Sequence, residues 1–333
     1  TLKKNREEPI MQKKYFSETG NWYKGNLHSH TVNSDGHFTP AQAINAYRQH
    51  GYSFICFSEH DYYTDLRKEF DRGDFLILPG VEASALLLNE DKSRMLKTHH
   101  IHGILGTQEM QQAAGDQLIQ HGKRLMPPAY VGKWEGLQTA QKLSDSLRKM
   151  GCFTTYNHPS WSRVDAEEIC GLEDIWAIEV FNYGTEVECG EGYNTVFWDR
   201  MLAAGKRINC FASDDNHNPN RFFDSFGGYV VVRSEELSHE AIVSHLLAGD
   251  YYSSAGPEIY QFGIDGDEVF VECSNVACIH FICGGYVGCS EPVNRYGVTL
   301  KKAFHKLDGT EKYVRIECVD EQGRRAFTNP IYL

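Results

Sequence analysis

The sequence has no run approaching the roughly 18 apolar residues that a membrane helix needs. Its first stretch, TLKKNREEPIMQKKY, also lacks the apolar segment of an export signal. The chain as given is therefore expected not to span a membrane, and a cytoplasmic location is the expectation. Positive charge is not in excess: 33 Lys and Arg against 45 Asp and Glu leave a net charge of −12. That balance disfavours a long polynucleotide or an anionic membrane as the main partner. There is no internal repeat and no low-complexity tract. Cysteine, at 10 in 333 residues, is too sparse for a disulfide scaffold. Cys56, Cys152, Cys170, Cys189, Cys210 and Cys318 lie mostly in apolar surroundings, where a thiol behaves as a small hydrophobe, and a reducing compartment is the inference.

What is present is the composition of a folded globular protein, with 41% hydrophobic, 12% aromatic and 23% charged residues. Apolar β-rich runs alternate with helical patterns, as in an α/β fold. A short strand at 25–28 leads through a polar loop to Thr39-Pro40, an N-cap followed by proline at the first helical position. The helix that follows ends at Gly51, and SFICFS at 53–58 reads as a buried strand. Further strands are expected near 75–81, 98–105, 152–156, 176–181, 208–212 and 228–232, with helices near 137–150, 191–204 and 238–248. Such a series suggests a closed or nearly closed barrel of parallel strands over residues 1–255, with an open doubly wound sheet as the alternative. From Glu258 onward only short β-rich runs remain, which predicts a small β-sandwich-like domain over 256–333.

The histidines gather at the expected strand ends. His28 and His30 form an H-x-H pair, and in extended backbone residues two apart share a face. Taken alone, such a pair is more often structural. Here Asp35 follows in SDG, His60 ends the second strand, Glu82 follows the third in PGVEAS, and His158 closes a later strand in YNHPSW. His100 and His102 share a face of one strand, and ASDDNH supplies Asp214, Asp215 and His217. In α/β folds functional groups collect where strand C-termini converge on one rim. Imidazole and carboxylate donors without thiolates suit zinc, manganese or iron and argue against iron–sulfur centres. One tetrahedral ion cannot use so many donors, so two or three divalent ions are implied, with Glu82 the natural bridging carboxylate.

The pattern resembles the PHP family, the polymerase and histidinol phosphatase superfamily of metal-dependent phosphoesterases. The resemblance rests on NLHSHTVNSDG, SEHD, GVEAS, HIHG, NHP and DDNH, in that order within residues 1–255. It implies a distorted, seven-stranded βα barrel, a two- or three-metal site, and hydrolysis of a small-molecule phosphate ester. It places the ligands on His28, His30, Asp35, His60, Glu82, His158, Asp215 and His217. His100 or His102 would be the ligand from the fourth strand, with His100 favoured because it stands three residues before a glycine. Asp214 could replace Asp215, but the D-x-H spacing favours Asp215.

Three other residues are candidates for the chemistry. Arg163, five residues after His158, could meet phosphate, or could be an ordinary surface arginine. His37 could contact substrate or protonate the leaving group, although a solvated loop histidine is the commoner case. Asp61 could orient a ligand or cap the next segment. Tyr62, Tyr63, Trp161 and Tyr183 could stack a ring or simply pack. In the tail Cys273, Cys278, Cys283 and Cys289 are spaced by five, five and six, unlike structural zinc sites, and read as buried thiols. His50, His121, His239, His245, His280 and His305 read as surface or packing residues. Two other functions compete with the phosphoesterase. One is a barrel amidohydrolase, which also opens with H-x-H but usually bridges its ions with a lysine; no strand-end lysine stands out here. The other is a non-catalytic metal-bound scaffold, which the full donor set argues against.

Overall fold

The computed structural model describes residues 12–285 and 297–333. The chain divides into two compact units, Thr19–Ala255 and the segment ending at Glu18 with Gly256–Leu333.

The larger unit is built on nine strands: β1 (Asn21–Asn26), β2 (Phe54–Phe57), β3 (Leu76–Leu88), β4 (Met95–Leu105), β5 (Cys152–Tyr156), β6 (Ala177–Asn182), β7 (Asn209–Ser213), β8 (Tyr229–Ser234) and β9 (Tyr251–Ser254). They form one mixed sheet in the order β9-β8-β1-β2-β3-β4-β5-β6-β7. Helices α1 (Pro40–Gln49), α2 (Gln108–Ala114), α3 (Leu137–Lys149), α4 (Tyr183–Cys189), α5 (Thr195–Ala203) and α6 (His239–Ala248) cover it. Helix α1 starts as its sequence predicts, with Thr39 accepting from the Gln42 amide and Pro40 at the first helical position.

Both faces of the central strands are buried, and the side-chain alternation assigns each residue to one. Phe54, Cys56, Leu76 and Leu78 join Ile242, Val243 and Leu246 of α6 in one core. Ile55, Phe57, Phe75 and Ile77 pack with Ala43, Ile44 and Tyr47 of α1 in the other. Two-sided burial is why FICF is continuously apolar rather than alternating.

Three expectations need correction. The sheet is not all parallel: β4 runs antiparallel to both β3 and β5, and β8 runs antiparallel to β1 and β9. Nor do the strands close into a barrel, because among the described residues no ladder joins β7 to β8 or β9. At that gap the amides of Phe226, Gly227 and Gly228 donate to the Asp214 carboxylate rather than to β7 carbonyls. An isolated bridge between Ser29 and Asn216 brings the ends of β1 and β7 together. The β3–β4 hairpin also runs longer than expected, so Glu82 lies within β3 rather than after it, directly opposite His102.

Among its described residues the smaller unit is all β. Gln12–Lys14, Ile259–Asp265, Glu268–Val276 and Leu300–Lys306 form one antiparallel sheet. Cys278–Gly284, Tyr313–Val319, Arg325–Thr328 and Ile331–Tyr332 pair antiparallel in a second. Cys273, Cys278 and Cys283 are buried there. Cys278 Sγ lies 3.2 Å from His280 Nε2 and Cys283 Sγ 3.5 Å from His305 Nε2, and among the described residues this unit gathers no metal-sized group of three donors. Cys289 lies outside the described residues.

Candidate metal centre

Residues separated by up to 130 positions, from His28 to His158, converge on one buried carboxylate. Glu82 sits on β3 with Ser84, on the face that β4 shares through the cross-strand pairs Glu82–His102 and Ser84–His100. Its Oε1 lies 3.3 Å from His28 Nε2, 3.3 Å from His100 Nδ1 and 3.2 Å from His158 Nε2. Its Oε2 lies 3.1 Å from His60 Nδ1 and 3.4 Å from His30 Nε2. Asp215 Oδ1 approaches both rings of the H-x-H pair, 3.0 Å from His28 Nε2 and 3.0 Å from His30 Nε2. Asp35 extends the cluster outward, with Oδ1 3.4 Å from His217 Nε2 and Oδ2 3.6 Å from His60 Nε2.

The backbone at these strand ends is unusual. Asp61, His158 and Asp215 all have positive φ, at 51°, 24° and 52°. Residues other than glycine pay for that geometry, and such outliers concentrate at functional sites. Gly36 of SDG is required by a close approach: a Cβ there would lie 2.4 Å from the His30 carbonyl oxygen.

The far nitrogen of several rings is held from behind. His28 Nδ1–H donates to Glu179 Oε1 at 2.9 Å, His158 Nδ1 meets Ser162 Oγ at 3.2 Å, and His217 Nδ1–H donates to the Asp215 carbonyl at 3.0 Å. This leaves the Nε2 atoms of His28, His158 and His217 turned toward the carboxylates, the orientation that metal-ligating histidines take.

Electrostatics bind the cluster together. Burial opposes ionisation of Glu82, but the surrounding imidazoles, His100, His28 and His158 among them, hold it well below the usual carboxylate range. Burial likewise opposes charge on His217, and Asp35 and Asp215 raise it to about 9. His100, whose burial outweighs the attraction of Glu82, is pushed down to about 4. Even so, Glu82 Oε2, Asp215 Oδ1 and His100 Nδ1 are buried and make no well-formed hydrogen bond. Buried polar atoms are rarely left so, and carboxylate oxygens facing imidazole nitrogens at these spacings suit cations.

Four overlapping groups each hold their donor atoms within 4.8 Å of one another: His30, Asp35, His60 and His217; His28, His30, Glu82 and Asp215; His28, His158 and Glu179; His60, Glu82 and His100. Every donor expected from the sequence is in one of them. Asp214 is not, since its carboxylate is spent on three amides and the Tyr47 hydroxyl. His102 is fully buried with Nε2 4.0 Å from Glu82, behind His28. His99, on the opposite face, bonds Tyr156 Oη and the Gly136 carbonyl.

The other candidates separate. Asp61 accepts the Ser84 amide at 2.8 Å, fixing β3 two residues beyond Glu82. His37 is exposed, and its amide bonds the His217 carbonyl. Arg163 pairs with Glu191 at 2.8 Å and does not line the cavity at the cluster. That cavity, about 290 Å³, is walled instead by Trp161, Arg221 and Phe222 beside Asp35, His60, His100, His158, Asp215 and His217. Glu179, Asn157 and Arg221 were not anticipated. Asn157 Nδ2 donates to Glu82 Oε1 at 2.7 Å, and Glu179 accepts from the His158 amide and Asn182 Nδ2 as well as from His28. Of the aromatic candidates, Tyr63 is buried packing, Tyr62 lies under the Arg124 guanidinium, and Trp161 alone of the four lines the cavity.

Neither a family model nor a curated protein matches the chain. Among solved structures it is similar to a two-domain protein from Bacteroides vulgatus described as containing a predicted PHP-like metal-dependent phosphoesterase. The identity is 13% and the TM-score 0.44, over 94% of this chain and 96% of that one. A protein from Bifidobacterium adolescentis, provisionally named a metal-dependent phosphoesterase, is 13% identical with a TM-score of 0.41, over 67% of this chain and 95% of that one. An amidohydrolase from Chromobacterium violaceum, with bound sulfate and no metal, is 17% identical with a TM-score of 0.41, over 68% and 96% of the two chains. Among the described residues no helix is long and apolar enough to cross a membrane.

Proposed function

We propose that the protein is a metal-dependent hydrolase of small-molecule phosphate esters. The observation that carries this reading is Glu82: one fully buried carboxylate faces five imidazoles within 3.4 Å, and one of its oxygens has no hydrogen bond. The proposed ligands are His28, His30, Asp35, His60, Glu82, His100, His158, Asp215 and His217, for two or three ions of zinc, manganese or iron. Divalent ions there would ease deprotonation of water near neutral pH and offset charge on the attacking and leaving oxygens of a phosphoryl group.

The chain's own residues do the rest. Glu179, Ser162 and the Asp215 carbonyl hold the imidazoles in place. Asp61 is a positioning residue that acts through the Ser84 amide. Arg221 stands at the cavity wall with most of its side chain exposed, and its fork of donors suits a phosphoryl oxygen of the incoming ester. Arg163 is proposed further out, as part of the mouth rather than the centre, and His37 as a solvated residue of the rim. Among the described residues no lysine lines the cavity, which favours this reading over an amidohydrolase with a bridging lysine.

The test is metal analysis of purified protein by mass spectrometry, followed by turnover of a panel of phosphomonoesters, phosphodiesters and amides with manganese, iron or zinc. Phosphate or alcohol release from an ester is the expected result. Amide cleavage without ester cleavage would overturn the reading.

A further inference from the structure

The cavity at the cluster is small. Small-molecule sites usually occupy roughly 300–1,000 Å³, and the volume of about 290 Å³ here must also accommodate ions and a phosphoryl group. A substrate with a bulky alcohol portion would therefore extend beyond it. A second, open groove of about 340 Å³ adjoins, and Trp161 and Glu188 line both. Glu188 forms the divider, accepting from Trp161 Nε1 at 3.2 Å and from Arg221 Nη2 at 3.1 Å.

The groove's wall is mixed, with Thr98, Ser162 and Glu188 on it, and Met95, Leu96 and Trp161 give it one apolar edge. Met95 and Leu96 line it and are 46% and 50% exposed. In a regular strand two consecutive side chains point to opposite faces. Here the β3–β4 ladder pairs Leu88 with Met95 and Leu87 with Lys97, so Leu96 is an extra, bulged residue. A bulge re-aims a side chain, and this one turns both apolar groups to the same groove. The charged neighbours are already paired, Lys97 with Asp165 and Glu168, and Arg163 with Glu191.

Resting on the phosphate-ester reading, we propose that this groove is a subsite for the alcohol portion of the substrate, and that it selects an apolar, planar group. Such a group would lie against Trp161, Met95 and Leu96 while the phosphoryl end reaches the cluster past Glu188. Trp161, with its ring 5.2 Å from that of His158, joins the two ends.

The test uses the manganese-loaded full chain and two probes, phenylphosphonate and methylphosphonate, titrated by calorimetry. Phenylphosphonate is expected to bind about tenfold more tightly, a modest return for covering one aromatic ring. Leu96→Asp, and separately Met95→Asp, should remove most of that preference while leaving methylphosphonate affinity within about twofold. Both positions are surface-exposed, and circular dichroism would confirm that the variants fold. Equal binding of the two probes to the unaltered protein, or an equal loss for both in the variants, overturns the subsite alone. Failure of both probes to bind overturns the phosphate-ester reading with it.

Discussion

Glu179 and His28 share a fully buried hydrogen bond of 2.9 Å, and the same Glu179 carboxylate accepts the His158 amide. One side chain thus orients two proposed ligands without facing the cavity. Glu179→Ala is expected to weaken metal binding by about 10–100-fold, the usual effect of losing a partner behind a ligating histidine. Competition with a metallochromic indicator would measure it. Unchanged affinity would show that the His28 ring is fixed by packing alone.

Asp214 and Asp215 are neighbours with opposite jobs, and single substitutions should separate them. Asp214 ties three amides and a tyrosine hydroxyl, and burial raises its pKa to about 6 despite those bonds. Asp214→Ala strands these donors, and a loss of about 3–5 kcal/mol in urea unfolding is expected whether or not metal is present. Asp215→Ala should cost bound metal and leave the metal-free stability comparatively intact. Reversal of the two outcomes would reassign the ligand.

Much of the centre was legible because its donors fall in short motifs at strand ends: HSH before SDG, EHD after FICFS, NHP after CFTTY. The readable signal was polarity placed where an apolar strand stops. Glu179 escaped because it sits inside AIEVFN, where a lone acid reads as a solvent-facing position; its apolar neighbours on both sides were the available clue, since a buried acid must be paired. Arg221 lies in the loop between β7 and β8, where no periodicity fixes direction, and Arg163 is a candidate on proximity in sequence alone. Alternation predicts which face a side chain takes but not whether neighbouring strands run parallel, so the reversed β4 and the open edge at β7 were invisible. The same reversal explains why Glu82, His100 and His102 reach the centre from mid-strand.

Arg221→Ala should raise KM for a simple phosphate ester by about tenfold with a smaller change in kcat, as expected for loss of a charge-assisted contact of roughly 1.5–3 kcal/mol. Steady-state kinetics with phenyl phosphate would read the split. An equal fall in kcat would place Arg221 on the transition state instead.

Removal of metal should lower thermal stability reversibly. A ligand at 100 times its Kd stabilises the folded state by about 2.7 kcal/mol. Scanning calorimetry before chelation, after chelation and after manganese is restored should therefore show Tm fall and recover. A Tm indifferent to all three conditions would mean that the cluster holds no ion in the folded protein.

The most direct test is the metal content of the unaltered protein beside Glu82→Ala and His60→Ala, all purified identically and analysed by mass spectrometry. More than one equivalent of zinc, manganese or iron in the unaltered protein is expected, with at least one lost in each folded variant. Protein that stays metal-free when supplied with all three ions, or variants that retain the full complement, would contradict the account.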